Sequence, residues 1–238
     1  MSYNIETQHN GTEHLAINNT FVRRFLTRLA LHPTAKFYSR DGLCVPISKH
    51  KIVKTGRRVH LTEGVAIKYL AGNTAIPVPK VHCSFLHKNR AYIVMERIQG
   101  EELSKAWNSM SKESVEGVFA QLRKIFQELR ALTPPGTGVE SYIKGSLYDS
   151  RNRVEIHVLV LFTHGDLNPI NVLVCGGNVV GIIGWEFSRW YPHYWDYTSA
   201  WFGNVTRTEW QGMLDKVLDR PRPEELRMEE VRNKWWDE

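Results

Sequence analysis

The chain has 238 residues, of which 42% are hydrophobic and 24% are charged. This composition is typical of a globular protein and excludes a disordered or fibrous chain. The longest purely apolar run that we find, Val158 to Phe162, is far shorter than the roughly 18 residues that span a bilayer, which excludes an integral membrane protein.

Positive charge is concentrated in the first quarter of the chain. The formal net charge is +6, and residues 1–60 alone hold ten Lys or Arg and three acidic residues. A basic region of this kind binds nucleic acid, an anionic membrane or a polyphosphate ligand, or it is simply a solvated face. The basic residues are spread over predicted strands and helices without a nucleic-acid motif, so we expect no nucleic-acid partner and no membrane partner.

The cysteines and the first residues indicate the compartment. Cys44, Cys83 and Cys175 are three in number and lie far apart, without a Cys-x-x-Cys pair. We interpret them as reduced thiols. The first 19 residues are polar and lack the apolar segment of a secretory signal, so we expect a cytoplasmic location.

The first third of the chain predicts a small lobe built mainly of strands. Residues 1–18 predict a flexible tail. A helix with one apolar stripe follows and ends before Pro33, and we place Arg23, Arg24 and Arg28 in part on its outer face. The stripe consists of Phe21, Val22, Phe25, Leu26, Leu29 and Ala30. Further on, the pattern predicts short strands at 36–40, 43–48 and 51–54, a helix at 59–70, and strands near 80–86 and 91–96.

After Gly100 the pattern becomes mainly helical. Ser111 can cap a long helix that ends before Pro134, and 133–153 predict a loop. Residues 155–162 predict a buried strand, and 171–175 and 179–183 predict a hairpin across two glycines. Two helices follow, at 206–218 and 223–236. The order predicts an α+β fold with an N-terminal lobe at 19–98 and a helical C-terminal lobe at 99–238.

The strongest chemical signal is the segment His164-Gly165-Asp166-Leu167-Asn168-Pro169-Ile170-Asn171. In phosphoryl transfer from ATP, an Asp takes the proton of the acceptor hydroxyl, and an Asn five residues later holds a metal ion at the phosphates. Asp166 and Asn171 have this spacing. The alternative interpretation is a capped turn before a strand, which the spacing alone would favour.

Lys54 and Glu63 raise the weight of the catalytic interpretation. Lys54 ends a predicted strand in the basic lobe, where an ammonium group could hold phosphates, and Glu63 lies on the next helix, where it could pair with Lys54. Taken singly, each residue would be interpreted as a surface charge.

Together these residues resemble the aminoglycoside phosphotransferase and choline kinase-like group of the protein kinase superfamily, most closely its fungal members. The resemblance covers about residues 37–236, and it is carried by IVKTG (52–56), Glu63, IPVPKV (76–81), IVMERIQGEEL (93–103), THGDLNPINVLV (163–174) and VVGIIGWEFSRWYPHYWDY (179–197). It implies a bilobal kinase-like fold with ATP and Mg²⁺ as cofactors. It also implies the roles of the site residues. By this resemblance, Lys54 and Glu63 are the ion pair that holds the nucleotide, and Met95, Glu96 and Ile98 form the hinge that faces adenine. Asp166 is the catalytic base, and Asn171 is one metal ligand.

The chain departs from the family pattern at the second metal position. Gly184 stands where the family has the Asp that is the principal Mg²⁺ ligand, and glycine offers no side-chain oxygen. Glu186 would lie on the same face if this segment continued as a strand, but the family carries Glu there beside its Asp, so we do not expect Glu186 to replace it. The connection at about 149–162 is several tens of residues shorter than in the family, and residues 35–56 lack a Gly-x-Gly-x-x-Gly motif.

The sequence therefore leaves two functions open. One is ATP-dependent phosphoryl transfer to a hydroxyl of a small molecule, impaired by Gly184, and the other is a catalytically inactive, pseudokinase-like binding protein. A nucleic-acid binder is the weakest interpretation. The resemblance leaves the acceptor open, because fold does not fix function. We interpret an aromatic run as core rather than as a stacking surface for bases or sugars; it comprises Trp185, Trp190, Tyr191, Tyr194, Trp195 and Trp201.

Overall fold

The computed structural model describes residues 9–34, 42–134 and 159–236. The chain forms two compact units, residues 1–100 and residues 101–238. The predicted strand at 36–40, most of the predicted loop and shortened connection, and the first part of the strand predicted at 155–162 lie outside the described residues.

The first unit contains a four-stranded antiparallel sheet. In chain order its elements are α1 (Phe21–Thr34), β1 (Cys44–Pro46), β2 (Lys51–Gly56), α2 (Leu61–Asn73), β3 (Val81–Leu86) and β4 (Ala91–Glu96). The strand order is β1-β2-β4-β3. The strands predicted near 80–86 and 91–96 are confirmed, and the predicted helix at 59–70 starts and ends slightly later, as α2.

Apolar side chains at alternate positions of the strands form a core on one face of the sheet. Val53, Cys83, Phe85 and Val94 form one buried cluster, and Leu31 of α1 packs against it. A one-residue slip of β2 would move Val53 to the opposite face and turn Lys54 toward this cluster. The register of β2 against β4 is therefore fixed, and it places Lys54 opposite Ile93.

Helix α1 packs on the sheet through the face that contains Arg23, Arg24 and Thr27, although the sequence pattern predicts these arginines in part on the solvent face. Arg23 donates to the carbonyl oxygen of His82 at 3.0 Å, the guanidinium of Arg24 lies 5.9 Å from the centre of the Phe85 ring, and Thr27 is buried. The apolar stripe faces solvent instead, so the predicted orientation is wrong. The periodicity identified which residues share a face, but local contacts with β3 decided which face is covered.

Part of the predicted tail is also packed. Residues 9–18 include a short 3₁₀ turn at Glu13–Leu15, and Leu15 and Ile17 are buried. The backbone of Ile17 exchanges hydrogen bonds with Ser84 of β3: its N–H donates to the Ser84 hydroxyl at 3.0 Å, and its carbonyl accepts from the Ser84 N–H at 2.8 Å. The expectation of a flexible tail is therefore wrong for these residues, because two apolar side chains and a paired backbone anchor them.

The second unit is mainly helical. In chain order its elements are β5 (Glu101–Glu102), α3 (Leu103–Ala106), α4 (Lys112–Arg130), β6 (Val160–Thr163), β7 (Val172–Cys175), β8 (Asn178–Ile182), β9 (Arg189–Pro192), α5 (Trp195–Phe202), α6 (Thr208–Val217) and α7 (Pro223–Trp236). Strands β5, β7 and β8 form one sheet, and β6 and β9 form another. With the first unit, this mixture gives the predicted α+β fold.

Several predicted elements of the second unit are confirmed. The Ser111 hydroxyl accepts from the Ser114 N–H at the start of α4, which satisfies one donor of the first turn. Gly176 and Gly177 join β7 to β8 with φ of 56° and 78°, the left-handed conformation that a two-residue hairpin turn requires. Gln121 of α4 donates to the Gly177 carbonyl and accepts from the Val179 N–H, so the hairpin is tied to the long helix.

The aromatic run contributes to the core of the second unit. Trp185 and Trp190 are each 1% exposed, and the Phe162 and Trp190 rings meet edge to face. The other four members are partly buried: Tyr191, Tyr194, Trp195 and Trp201. In the described part of the chain, no helix has the length and apolar character needed to cross a membrane.

Candidate active site

Lys54 and Glu63 form a buried ion pair in the first unit. The Lys54 ammonium lies 3.0 Å and 2.9 Å from the two carboxylate oxygens of Glu63. Lys54 is 8% exposed and Glu63 is 2% exposed. Lys54 lies on β2 and Glu63 in the first turn of α2, where the helix dipole also favours a negative charge. The pairing predicted from the two isolated residues is present in the structure.

The three predicted hinge residues lie at the end of β4. Met95 is buried and pairs in register with Ile52 and Val81. Glu96 is exposed, its backbone N–H donates to the Lys80 carbonyl at 2.9 Å, and its carboxylate accepts from the Lys80 N–H. Ile98 is half-buried after the strand ends. The Glu96 backbone is therefore hydrogen-bonded to Lys80, the residue before β3.

Asp166 lies in the second unit, on the loop between β6 and β7. The Asn168 side-chain amide donates to one carboxylate oxygen of Asp166 at 3.0 Å, and the Asn171 amide donates to the other at 2.8 Å. Each amide also donates to the Asp166 carbonyl. Asp166 is half-buried, whereas Asn168 and Asn171 are buried. Both carboxylate oxygens are thus oriented by neutral donors from the same loop.

His164 holds the start of this loop. Its ring is fully buried, and Nδ1 accepts from the Asp166 N–H at 3.2 Å. The proton is therefore on Nε2, which lies 2.8 Å from the Ile183 carbonyl and donates to it. The ring also meets Trp185 edge to face at 4.5 Å. His164 thereby joins the loop to the end of β8 in one neutral tautomer.

Asp196 supports the same loop from α5. Its carboxylate accepts from the Gly165 N–H at 3.0 Å. Asp196 is fully buried, and this burial raises its pKa to about 6, although the hydrogen bond from Gly165 and the charge of Arg130 favour the ionised form. A buried carboxylate bound to the loop backbone gives Asp196 a structural role in holding the loop.

Gly184 has a left-handed backbone with φ of 79°. A Cβ atom at this position would lie 2.6 Å from atoms of the Asn171 carboxamide. That separation is far inside van der Waals contact. The Asn171 side chain therefore occupies the space into which a side chain at residue 184 would project, and this arrangement depends on glycine.

Glu186 does not lie on a strand. Strand β8 ends at Ile182, and Trp185–Phe187 form a 3₁₀ turn. The left-handed conformation of Gly184 ends the extended backbone, so residues 184 and 186 do not alternate as a strand would. The assumption that Glu186 shares a strand face with position 184 is wrong for this reason.

These residues do not fit a magnesium ion. Mg²⁺ needs near-octahedral oxygen ligands, whereas Asn171 turns its N–H donors to Asp166 and Gly184 supplies no oxygen side chain. Within the described residues, no three His, Cys, Asp or Glu side chains form a group that could hold a metal. The weakening of the metal site by Gly184 stays a prediction.

The sequence reasoning missed two residues of the loop. The motif predicts no role for Asn168, although Asn168 donates half of the side-chain hydrogen bonds that Asp166 accepts. The motif likewise predicts no role for His164. The signal for Asn168 was its position: its side-chain oxygen accepts from the Ile170 N–H two residues later, the usual pattern of an Asx turn. No sequence signal identifies the partner of His164, because Ile183 is distant in the chain.

A family model matches part of the second unit. Residues 157–231 match the model of the family described as the phosphotransferase enzyme family. The match covers less than half of the chain and includes the loop of Asp166 and Asn171. A comparison with curated proteins found no match.

Solved structures match over more of the chain. The streptomycin–ATP complex of APH(2")-IIa has 13% sequence identity to the chain and a TM-score of 0.60, covering 92% of this chain and 89% of the other. The gentamicin complex of the same protein has the same identity and TM-score, covering 92% and 88%. An ADP and hygromycin B complex of a thermostable mutant of the aminoglycoside phosphotransferase APH(4)-Ia has 13% identity and a TM-score of 0.53, covering 83% and 80%. The fold is therefore the kinase-like fold of the aminoglycoside phosphotransferases.

Proposed function

We propose that this protein binds ATP and slowly transfers its terminal phosphoryl group to a hydroxyl of a small molecule. The observation that carries the proposal is the buried ion pair of Lys54 and Glu63. Burying two charges is costly unless each holds the other in a fixed position. An ammonium fixed in this way is suited to hold the phosphates of a nucleotide, which is the role of this pair in kinases.

Asp166 is the proposed general base. In the transfer, the acceptor oxygen bonds to the terminal phosphorus, the bond from that phosphorus to the bridging oxygen breaks, and the hydroxyl proton passes to a carboxylate oxygen. Both Asp166 oxygens are oriented by Asn168 and Asn171, and each has a further lone pair for the proton. Carboxylates aimed at a reacting hydroxyl typically contribute about 10²- to 10⁴-fold to the rate.

The transfer is proposed to be slow because of Gly184. Kinases neutralise the charge on the phosphates with cations held by an Asp and an Asn. In this chain Gly184 replaces the Asp, and the amide of Asn171 is directed at Asp166. The residues that remain can orient a hydroxyl and accept its proton, but they hold a cation poorly.

A second candidate is a nucleotide-binding protein without transfer activity. The observation that favours it is the contact at Gly184, where Asn171 fills the space of a metal-binding side chain. On this interpretation Asn168 and Asn171 satisfy Asp166 permanently, and the protein acts through binding alone. The acceptor, where there is one, is a hydroxyl-bearing small molecule; streptomycin, gentamicin and hygromycin B belong to the complexes of the solved structures.

The first experiment is thermal unfolding of the protein with ATP, in magnesium and in a chelator. A ligand that binds only the folded state raises the melting temperature, so we expect ATP to raise it in both conditions. The Lys54→Met variant should lose this increase relative to its own ligand-free melting temperature. If ATP leaves the wild-type melting temperature unchanged in both conditions, nucleotide binding is wrong.

A transfer assay then separates the two candidates. Formation of ADP should depend on an added hydroxyl compound, and the Asp166→Ala variant should abolish it while retaining the ATP-induced increase in melting temperature. ADP formation at the same rate in this variant would exclude Asp166 as the base. ATP binding by the wild type without turnover across a panel of hydroxyl compounds would establish the second candidate.

Restoring the missing carboxylate tests the role of Gly184. We expect Gly184→Asp to bind ATP with magnesium more tightly than Gly184→Asn does, since the Cβ atom of either variant displaces Asn171 and only Asp adds a charged oxygen ligand. Gly184→Asn is the matched control, because it has the same size, tolerates the left-handed backbone equally and lacks the charge. A tenfold difference in affinity between the two variants corresponds to about 1.4 kcal/mol. Equal affinities in a titration would contradict this account of Gly184.

A further inference from the structure

Five large apolar side chains of α1 face solvent together. They are the five large members of the apolar stripe. Their exposed fractions are 82% for Phe21, 61% for Val22, 56% for Phe25, 54% for Leu26 and 54% for Leu29. The rings of Phe21 and Phe25 stack with their centres 6.5 Å apart. Together the five expose on the order of 500 Å² of apolar surface, which is near the upper end of the largest patch on a typical monomer. Such a patch marks an interaction surface.

The Lys and Arg residues of α1 and of the turn after β3 have no acidic residue among them. Helix α1 contains Arg23, Arg24 and Arg28 and has no acidic residue. Arg28 is exposed, and the turn after β3 adds Lys88. Burial lowers the pKa of His87, and Arg28, Lys88 and Arg24 lower it further, in that order. Arg28, Lys88 and Arg24 therefore create a positive potential at this end of the sheet, and an occupant of the stripe should be negatively charged.

We propose that the exposed stripe of α1 binds the surface of an anionic lipid membrane. The exposed face of α1 carries Phe and Leu with Arg28 beside them, and the helix has no acidic residue, which is a composition found in helices that lie in the membrane interface. Phe21, Phe25 and Leu29 would enter the boundary between headgroups and acyl chains. Arg28 would remain at the anionic headgroups, with its aliphatic stem along the apolar region.

A second copy of the chain fits the stripe less well. Two copies would bring the same arginines together, and like charges oppose association. A standard protein interface also buries about 800 Å² on each partner, more than the stripe exposes. A membrane surface needs no matching shape and supplies the opposite charge. This binding would be peripheral, and it would replace the sequence-based expectation that the protein has no membrane partner.

Co-sedimentation with lipid vesicles tests the proposal on the full chain. We expect binding to vesicles that contain phosphatidylserine, weaker binding to pure phosphatidylcholine, and loss of binding as salt rises from about 0.1 M to about 0.5 M. The variant Phe25→Gln with Leu29→Gln should weaken binding more than about tenfold, because it removes two large apolar side chains from the stripe. Arg28→Gln should weaken binding to the anionic vesicles selectively.

The matched control is Met228→Gln with Val231→Gln on α7. These two side chains are also apolar, each 54% exposed and on a helix, but Glu224 and Glu230 lie on the same helix. This variant should bind vesicles like the wild type. Circular dichroism should show an unchanged fold in both double variants, because all four side chains are exposed.

Three results would overturn the proposal. The first is the absence of vesicle binding by the wild type. The second is vesicle binding that the α1 variant leaves unchanged, which would place the contact elsewhere. The third is a dimer in sedimentation velocity that the α1 variant alone dissociates, which would make a second copy the occupant of the stripe.

Discussion

The two units hold their charged site residues in different ways. In the first unit Lys54 and Glu63 come from a strand and a helix, and each charge is satisfied by the opposite charge. In the second unit Asp166 is satisfied by the neutral amides of Asn168 and Asn171 from the same loop. The ion pair is nearly inaccessible to solvent, whereas Asp166 is half-buried.

This difference separates the parts of the proposed function. A buried ion pair is stable only as a pair, so a nucleotide-holding Lys54 requires Glu63. The Asp166 carboxylate is held by hydrogen bonds from two amides rather than by a cation, and Gly184 leaves room for the amide of Asn171. In the proposed function, Lys54 and Glu63 hold the phosphates, whereas Asn171 and Gly184 offer a poor metal site among the described residues. The four predictions below test this contrast, from the largest expected effect to the smallest.

The largest effect should come from breaking the ion pair. Lys54→Met removes the ammonium that pairs with the buried Glu63 carboxylate, and the free energy of unfolding should fall by about 3 to 5 kcal/mol. Urea denaturation measures this change. The double variant Lys54→Met with Glu63→Leu should lose less, because it removes both charges.

The control for this prediction is an exposed ion pair of the second unit. Lys216 pairs with Glu116, and the side chains are 41% and 58% exposed. Lys216→Met should therefore reduce the free energy of unfolding by less than about 1 kcal/mol. If Lys54→Met were as mild as Lys216→Met, the buried pair would lack the strength that the comparison assigns to it.

Gly184→Ala should destabilise the second unit by about 2 to 4 kcal/mol, since the left-handed backbone is strained for alanine and the new Cβ displaces Asn171. Gly176→Ala is the control: its φ is also positive, at 56°, but its Cβ would meet nothing within 4 Å. It should lose only about 1 to 2 kcal/mol of stability to strain.

The variant Gly184→Ala with Asn171→Ala tests the contact itself. Removing Asn171 relieves the overlap, so the double variant should be less destabilised than the sum of the single variants. Denaturation of all four proteins gives the coupling energy. Additive effects would show that Asn171 does not restrict residue 184.

Asp196→Asn should remove a pH-dependent contribution to stability. Burial raises the pKa of Asp196 from 3.8 to about 6 in the folded protein, so folding favours the neutral acid. The contribution of Asp196 is therefore fully present below about pH 4 and is lost as the pH rises through about 6. Relative to Asp196→Asn, the wild-type protein should lose about 3 kcal/mol of unfolding free energy as the pH rises through this range, because the pKa of Asp196 is raised from 3.8 to about 6 on folding.

Asparagine retains an oxygen that can accept from the Gly165 N–H, so the comparison isolates the charge. Denaturation of both proteins between about pH 4 and pH 7 measures the difference at each pH. A constant difference over this range would show that Asp196 has the same pKa in the folded and unfolded states.

The smallest effect concerns one amide of the loop. Asn168→Ala removes a hydrogen bond to the Asp166 carboxylate and the Asx turn to Ile170, and it should reduce the free energy of unfolding by about 1 to 2 kcal/mol. Turnover, where it is detected, should fall as the carboxylate loses orientation. Stability equal to that of the wild type would show that Asn171 alone holds Asp166.

Much of the fold could be predicted from local patterns. The long helix α4 follows from apolar residues three and four apart after a Ser cap, and the hairpin of β7 and β8 follows from two glycines between β-branched runs. Each signal lies within a few residues of the element that it specifies. The spacing of Asp166 and Asn171 belongs to the same class, since one loop carries both.

Other features depend on residues that are distant in the sequence. The burial of Ile17 depends on Ser84, and the tautomer of His164 depends on the Ile183 carbonyl. Neither partner can be identified from spacing. The predicted tail was therefore wrong where tertiary contacts replaced the local pattern, whereas the strand face of Glu186 was wrong because the left-handed backbone of Gly184 ends the strand.

The sequence by itself predicted most of the strands and helices, although not β5, α3, β9 or α5, and it identified the residues that could carry phosphoryl-transfer chemistry. The reason is that periodicity and turn chemistry are local properties of the backbone. Only the tertiary structure decided that the stripe of α1 faces solvent and that Asn171 turns its amide toward Asp166 in the space beside Gly184. A periodic pattern specifies which side chains share a face, but packing against distant parts of the chain determines what that face contacts.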